Sequence, residues 1–564
     1  MPDAAGFRDR TADGDLNGSN GARVWLASAV GAAMSIAGVA AASRLVGFGR
    51  TVTFARTVGA TCLGDTYVTS NTVPNIVFEV VAGGALASMV VPVLAGAAER
   101  GDRDAASRTA SALVSWALLV AVPVTVAGLL LARPLVSLLV GAGSANCDRH
   151  AEIVVGTRML FVFMPQVVLY ALCVVLGGVL QAHKRFLGPA LAPLLSSMVV
   201  IGAYLLFGAL HQSTDLSTVS LRAQLVLSIG TTLGVVALAL PLLWPVSRLR
   251  LRWRPTLRFP QQVGRRVAGL AVAGALTLAV QQLSVAVVLR LAHRGDGGTL
   301  VLYNLAWAVF LVPWSVVAVP VATSAFPRLS ARADRGDDSG YALATAAGLR
   351  TLVLTTAAAT AALVAVAAPV ARVLALRVPG NADTVALAWT LVAFAPGLIG
   401  YALVAYLGRA LYARSDWRLA AVAICAGWVV VIVADLALVP AFSQRWRVVA
   451  LGLGNSVGMV LAGALLVVGV RRASGRPALT GVGRTTAASA LGAVVGGGLG
   501  LALVAGVGQH SVLWSVLVAL LVAAVAGVAC LGVGLICESP VERNRLRAQV
   551  FGARLVNSPR PSDG

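Results

Sequence analysis

Residues 187–210, LGPALAPLLSSMVVIGAYLLFGAL, contain no charged side chain and follow Lys184-Arg185-Phe186. A helix needs about 20 mostly apolar residues to cross the hydrocarbon core of a bilayer, so this run is long enough to span one. Working outward, similar stretches fall at roughly 24–46, 64–97, 109–140, 153–181, 223–246, 265–292, 299–327, 342–375, 384–410, 417–440, 448–470, 485–507 and 511–537. The chain is 58% hydrophobic and 12% charged with a mean hydropathy of +0.86, well outside the composition of a soluble domain. The expected fold is an all-α polytopic membrane protein of about fourteen transmembrane helices. The first run, from Val24 to Ala42, has some features of a signal peptide, but its apolar length suits a span better.

The formal charge of +22 does not indicate a nucleic-acid partner, because the basic residues are short arginine clusters between apolar runs and not one basic face. Their placement sets the expected orientation, since Lys and Arg are retained in cytoplasmic loops. Counted alternately, one set of loops carries Arg100/Arg103/Arg108, Lys184/Arg185, the arginines from Arg248 to Arg266, Arg328/Arg332/Arg335, Arg409/Arg414/Arg418 and Arg471/Arg472/Arg476/Arg484. Both termini are then expected in the cytoplasm. The six cysteines show no CxxC spacing, and most lie in apolar runs, so they read as packing residues and neither a disulfide framework nor a zinc site is expected.

The chain also repeats itself. Pro92-Val-Leu-Ala-Gly-Ala-Ala-Glu-Arg-Gly-Asp102 matches Pro327-Arg-Leu-Ser-Ala-Arg-Ala-Asp-Arg-Gly-Asp337, and Phe163 to Ala182 matches Phe394 to Ala413 at nearly the same offset. An even number of spans separates the copies, so two similarly oriented six-helix lobes related by a pseudo-twofold axis along the membrane normal are expected. The organisation read from the chain is a disordered cytoplasmic N-terminus at 1–22, an N-lobe at 23–246, a cytoplasmic Arg-rich linker at 247–264, a C-lobe at 265–471, two further spans at 472–537 and a cytoplasmic tail at 538–564.

Ionisable groups within spans are costly and mark pathways or sites. The densest set is Arg44, Arg50 and Arg56 with Asp65, followed by Glu79 after Pro74-Asn75. Arginines six apart do not share one helical face, but Gly47 and Gly49 could bend the backbone so that the guanidiniums converge on a diphosphate. An external loop contacting lipid headgroups is the alternative reading of the same spacing. Asp435, alone in the apolar run 429–439, is the candidate cation-coupling or proton-carrying acid, its alternative being an ordinary helix-end acid near Pro440. Gly452-Leu-Gly454-Asn-Ser-Val-Gly458 opens an apolar span and reads as close helix packing, not as a nucleotide loop.

Ser43-Arg-Leu-Val-Gly-Phe-Gly-Arg50, with Ala55-Arg56, Gly59-Ala60, Asp65, Pro74-Asn75, Gly84-Ala85 and Val91-Pro92, resembles the N-terminal signature of the MurJ/MviN flippases of the MOP exporter superfamily. Phe163-Met-Pro165, Gln181-Ala-His-Lys-Arg-Phe186 and Pro327-Arg-Leu-Ser330 extend the resemblance over about residues 24 to 470. It implies a flippase that moves lipid II, a disaccharide-pentapeptide on an undecaprenyl diphosphate, from the inner to the outer leaflet of the bacterial plasma membrane by alternating access. It further implies that Arg44, Arg50 and Asp65 act in the central cavity, with coupling to sodium, protons or membrane potential and no cofactor. Cell-wall synthesis proteins are the partners that such a role suggests. The chain departs from the family where paired arginines and a following acid are replaced by Phe78, Glu79 and Gly83, and where Tyr303-Asn-Leu-Ala-Trp-Ala308 replaces an arginine-bearing stretch. The cavity is thereby less cationic.

Two other functions remain open on these residues: export of another polyprenyl-linked glycan or amphipathic compound, and a transport-inactive scaffold for cell-wall enzymes. An enzyme is not expected, since no paired carboxylates, metal cluster or nucleophile with its base is visible. The topology is directly testable. A reporter fused after Gly564 is expected to be active only inside the cell, and an externally active fusion would overturn the orientation.

Overall fold

The computed structural model describes residues 38–39, 42–80, 94, 102–210, 215–257, 264–374, 381–506, 512–536 and 543. The expected segments 1–22 and 538–564 therefore lie, apart from residue 543, outside the described residues. Helix α1 covers residues 42–57 and α2 covers Cys62–Phe78. The first half continues with α3 (Arg103–Leu130), α4 (Ala132–Val140), α5 (Arg149–Phe163), α6 (Gln166–Ala182), α7 (Leu187–Leu210) and α8 (Leu221–Ser247). The second half holds α9 (Gly264–Ala292), α10 (Thr299–Pro313), α11 (Val319–Asp334), α12 (Asp338–Leu374), α13 (Asn381–Ala413), α14 (Trp417–Ala441) and α15 (Arg447–Ser474), followed by α16 (Val482–Gly506) and α17 (Val512–Ile536). Among the described residues, twelve stretches between Arg103 and Ile536 are long and apolar enough to cross a bilayer, and they coincide with the third to the last of the expected runs. The first two runs fall partly outside the described residues. The protein is an all-α polytopic membrane protein, and its helices expose aliphatic residues such as Val422, Val494 and Leu520 on their outer faces, as lipid contact requires.

The repeated Arg-Gly-Asp has a local physical role. Asp102 accepts the Ala105 N–H at 2.9 Å and so caps α3, while Asp337 accepts the Gly340 N–H at 2.8 Å at the start of α12. Each carboxylate meets an otherwise orphaned amide and the positive end of a helix dipole. The Gly340 amide and the Ser339 hydroxyl hold the Asp337 carboxyl below the usual carboxylate range. Gly336, before Asp337, has a φ of +69°, which glycine adopts without steric cost. Leu94 and Leu329, matched in the two copies, are both buried.

The second repeat resolves its prolines differently. In the first half Pro165 ends α5 and starts α6, whereas Pro396 sits inside the unbroken α13. There Ser456 of α15 enters the hydrogen-bond ladder: its hydroxyl accepts from the Gly397 N–H at 3.1 Å and donates to the Ala393 carbonyl at 2.6 Å. A neighbouring helix thus satisfies backbone groups that lipid could not. The 452–458 stretch packs as expected, with a Cβ at Gly458 falling 2.6 Å from the Gly427 carbonyl of α14.

The Arg-rich linker lies along α3. The N–H groups of Arg252, Arg254 and Thr256 donate to the hydroxyls of Ser107, Ser111 and Ser115 at 3.1, 3.1 and 3.3 Å. Two extended residues advance about 6.6 Å and four helical residues about 6 Å, so an every-second pattern on the linker matches an every-fourth pattern on the helix. Beyond the repeat, α16 and α17 pack on α12 through small residues including Ala358, Ala361, Ala526 and Cys530.

Candidate functional site

The two halves interlock at one end of the bundle, where α2 and α5 begin and α9 gives way to α10. Asp65, fully buried in the first turn of α2, accepts the N–H of Gly298 at 2.8 Å and that of Val301 at 3.0 Å. Its carboxylate therefore caps α10 from the opposite half of the chain, where free amides and the helix dipole both favour an anion. Gly298 permits this approach: its φ is +99°, and a Cβ there would lie 2.5 Å from the Ala60 backbone.

One turn along, His293 of the second half is enclosed by first-half groups. Its Nε2 lies 2.8 Å from the Thr69 hydroxyl, and its Nδ1 lies 3.3 Å from the Ser144 hydroxyl and 3.4 Å from Glu152. Glu152 and His293 are both buried, so the interaction forms in a low-dielectric setting that strengthens it, although the second oxygen of Glu152 has no partner among the described residues. The Ala145 N–H adds a direct bond to the Gly295 carbonyl at 3.1 Å.

Cys62 and Cys147 form a disulfide at this same end, which corrects the expectation that the cysteines only pack. They are 85 residues apart and stand at the start of α2 and in the α4–α5 connection, so no local spacing announced the bond. Gly297 of the second half seats against both sulfurs. Cys530 is a buried packing residue, and Cys173 and Cys425 are free and half-buried. Among the described residues no group of His, Cys, Asp and Glu could hold a metal.

The arginine cluster is arranged less simply. The helix from 42 to 57 runs unbroken through Gly47 and Gly49, so the expected bend is not made there. At 3.6 residues per turn, residues six apart are rotated by about 240°, and Arg44, Arg50 and Arg56 point in three directions. All three are exposed. Arg50 is within electrostatic reach of Tyr67, Tyr170 and Tyr204, from α2, α6 and α7. Behind it the Tyr67 hydroxyl bonds those of Tyr204 at 2.8 Å and Thr231 at 2.6 Å, and Gln166 bonds Thr232 at 2.8 Å. Glu79 is half-buried at the end of α2 and makes no ion pair among the described residues. Asp65 is turned away from the arginines towards Gly298 and Val301.

Asp435 lies in the second half, fully buried within α14. Neither carboxylate oxygen has a hydrogen-bond partner among the described residues, and one packs directly on Gly454 of α15. Tyr303 of α10 is within electrostatic reach, and the amide oxygen of the neighbouring Asn455 also lacks a partner. A buried acid in this state requires a proton or a cation. The reading of Asp435 as an ordinary helix-end acid does not describe this environment.

Sequence reasoning missed Thr69, Ser144, Glu152 and His293. Each is unremarkable alone, and only the packing of α2, the α4–α5 connection, the start of α5 and the end of α9 brings them together.

Comparison with known proteins matches the family model described as Lipid II flippase MurJ to residues 54–523. Curated relatives include the lipid II flippase MurJ of Burkholderia cenocepacia, 27% identical over 447 residues that cover 78% of this chain and 83% of that protein. Another is the probable lipid II flippase MurJ of Rhizobium meliloti, 27% identical over 401 residues, with 68% and 70% covered. Among solved structures, a lipid II flippase MurJ in an inward closed conformation superposes with a TM-score of 0.67 at 18% identity, covering 87% of this chain and 98% of that one. An inward-facing multidrug resistance MATE transporter of the MOP superfamily gives 0.64 at 14% identity, covering 78% and 96%. At these identities the structural matches establish the shared fold.

The Asp65 cap makes a definite prediction. Asp65→Asn keeps one acceptor but turns an N–H donor towards a second amide, which is expected to cost about 1–3 kcal/mol at the joint between the halves. Hydrogen exchange of the amides of Gly298 and Val301 should then quicken by roughly tenfold or more. Unchanged exchange would show that the carboxylate does not hold this end.

Proposed function

The chain belongs to the Lipid II flippase MurJ family, and from that premise we propose that it carries the undecaprenyl-diphosphate-linked peptidoglycan precursor from the inner to the outer leaflet of the plasma membrane by alternating access. The observation that carries this reading is the extent of the family match, which runs from α1 into α17 and so takes in both halves of the transport fold. It is the protein's role as a carrier, with no covalent chemistry, that the polar groups at the joint and in the helix cores serve.

Both termini are cytoplasmic in this proposal. The arginine-rich connections support that orientation. So does the disulfide, because Cys62–Cys147 lies at the opposite end from the linker, and disulfides persist on the oxidising side of a membrane. The interlocked end then faces outward, and the protein described here is shut to the outside. Opening it requires the Asp65 cap and the Glu152–Ser144–His293–Thr69 network to separate, so substrate binding must offset their loss. Asp65 acts in the outer gate rather than on the diphosphate.

Within the cavity, Arg50 is the principal diphosphate contact, since a guanidinium offers paired donors to phosphate oxygens and its surroundings already supply tyrosine hydroxyls. Arg44 and Arg56 project from other faces of α1, about 120° to either side of Arg50, and do not share its contact with the diphosphate. Glu79 lowers the positive charge of that path and speeds release at the expense of affinity. Asp435 takes up a cation or proton during the return step, for which its unpartnered carboxylate is suited. Export of another polyprenyl-linked glycan is the second reading, favoured by Phe78 and Glu79 standing where the family carries arginines.

Complementation of cells depleted of their own lipid II flippase tests the substrate directly: growth supports the first reading, and its failure with a folded, membrane-inserted protein supports the second. In the complementing system, Arg50→Ala should abolish rescue. Glu79→Gln should bind the diphosphate lipid about tenfold more tightly, equivalent to roughly 1.4 kcal/mol, and release it more slowly. Asp435→Asn should abolish the dependence of transport on pH or sodium, and an unaltered dependence would remove Asp435 from coupling.

A further inference from the structure

Three arginines gather beside the interlock, at the seam between the halves, and none enters an ion pair among the described residues. Arg149, at the start of α5, donates through Nε to the carbonyl of Gly141. Arg290, in the last turn of α9 and hence from the other half, lays its guanidinium against the same glycine so closely that a Cβ at Gly141 would overlap it. Gly141 has a φ of +63°, so both conformation and space call for glycine there. Arg294 stands one turn beyond Arg290, and the charges that act on Arg290 are those of Arg294 and Arg149. Of the nearby acids, Glu152 turns one oxygen to His293 and Ser144 inside the seam while its other oxygen has no partner, and Asp148 caps α5 by accepting the His150 N–H; neither forms an ion pair with these arginines among the described residues.

Like charges brought together across an interface oppose its formation unless a counter-charge lies between them. Nη1 of Arg290 is packed within the chain and has no acceptor among the described residues, while Arg290 as a whole is only half-buried and Arg149 and Arg294 are exposed, so an anion at the seam meets guanidinium donors from both halves. We propose that Arg149, Arg290 and Arg294 form an anion site that takes a phosphate group and bridges the two halves, stabilising the interlocked end. Phosphate fits because its oxygens can accept paired donors from more than one guanidinium at once. The phosphate comes either from the headgroup of an anionic lipid at the membrane surface or from a free ion, and the same oxygens are recognised in both cases. The site is independent of the cavity and of the transported substrate, so it stands or falls separately from the proposed function.

The test uses the full chain, purified in neutral detergent and delipidated, with thermal unfolding followed by tryptophan fluorescence. Inorganic phosphate is titrated against chloride at equal ionic strength, and short-chain phosphatidylglycerol against phosphatidylcholine. A saturable rise in the melting midpoint of a few degrees is expected with at least one phosphate-bearing probe. A rise with phosphatidylglycerol alone assigns the lipid headgroup, and a rise with both probes assigns the phosphate group itself. Arg290→Gln should abolish the rise, and Arg290→Lys, which keeps the charge but loses the planar fork, should shift half-saturation about tenfold higher. Arg103→Gln, away from the seam, should respond as the wild type does. No rise in the wild type, or the same rise in Arg290→Gln and Arg290→Lys as in the wild type, overturns the proposal.

Discussion

The carboxylate of Asp65 meets the free amides at the start of α10 in a place closed to water, and the arrangement of the two halves depends on that contact. An ionised acid buried without partners would be strongly disfavoured, and a helix start buried without acceptors would leave several amides unsatisfied. Each half supplies what the other lacks. Because lipid gives no hydrophobic preference for one helix packing over another, directional polar contacts of this kind select among the ways the halves could dock. The Glu152–Ser144–His293–Thr69 network then extends the joint inward by a turn, and the disulfide fixes the first-half loops on which Gly297 rests.

The same rule, that polar groups in a membrane interior must be satisfied locally, accounts for the details of the helices. Ser456 completes the ladder around Pro396, and the serines of α3 receive the amides of the linker. The rule has exceptions among the described residues, which include Asn71, Gln224 and Glu152 as well as two further charged groups. Asp435 has unpartnered oxygens in the core of the second half, and Arg290 has an unpartnered nitrogen at the seam. The first is a buried carboxyl that needs a proton or a cation, and the second a guanidinium nitrogen without an acceptor.

Much of this was legible from the residues alone. Apolar length and arginine placement follow from the cost of moving charge and backbone through hydrocarbon, which acts on each segment separately, so the spans and their class could be read one at a time. The Arg-Gly-Asp repeat was legible for the same reason, since Asp102 and Asp337 cap helices only three residues ahead. Arg50, Asp65 and Asp435 were identifiable as costly residues within apolar runs, but their roles were not, because a charge's role is set by what lies across from it.

Tertiary structure decided what depends on loops distant in sequence. The disulfide joins residues 85 apart, His293 is surrounded by groups from α2 and the α4–α5 region, and Arg149 meets Arg290 over a glycine that neither adjoins in the chain. It also decided against a bend at Gly47 and Gly49, since glycine permits a kink but packing determines whether one forms. The sequence by itself determined that this chain is a bundle of membrane helices with two similar halves' worth of motifs, because hydropathy and capping are local. Which acid seals the seam and which carboxylate is left without a partner were settled only when the helices packed, because electrostatic pairing acts through space.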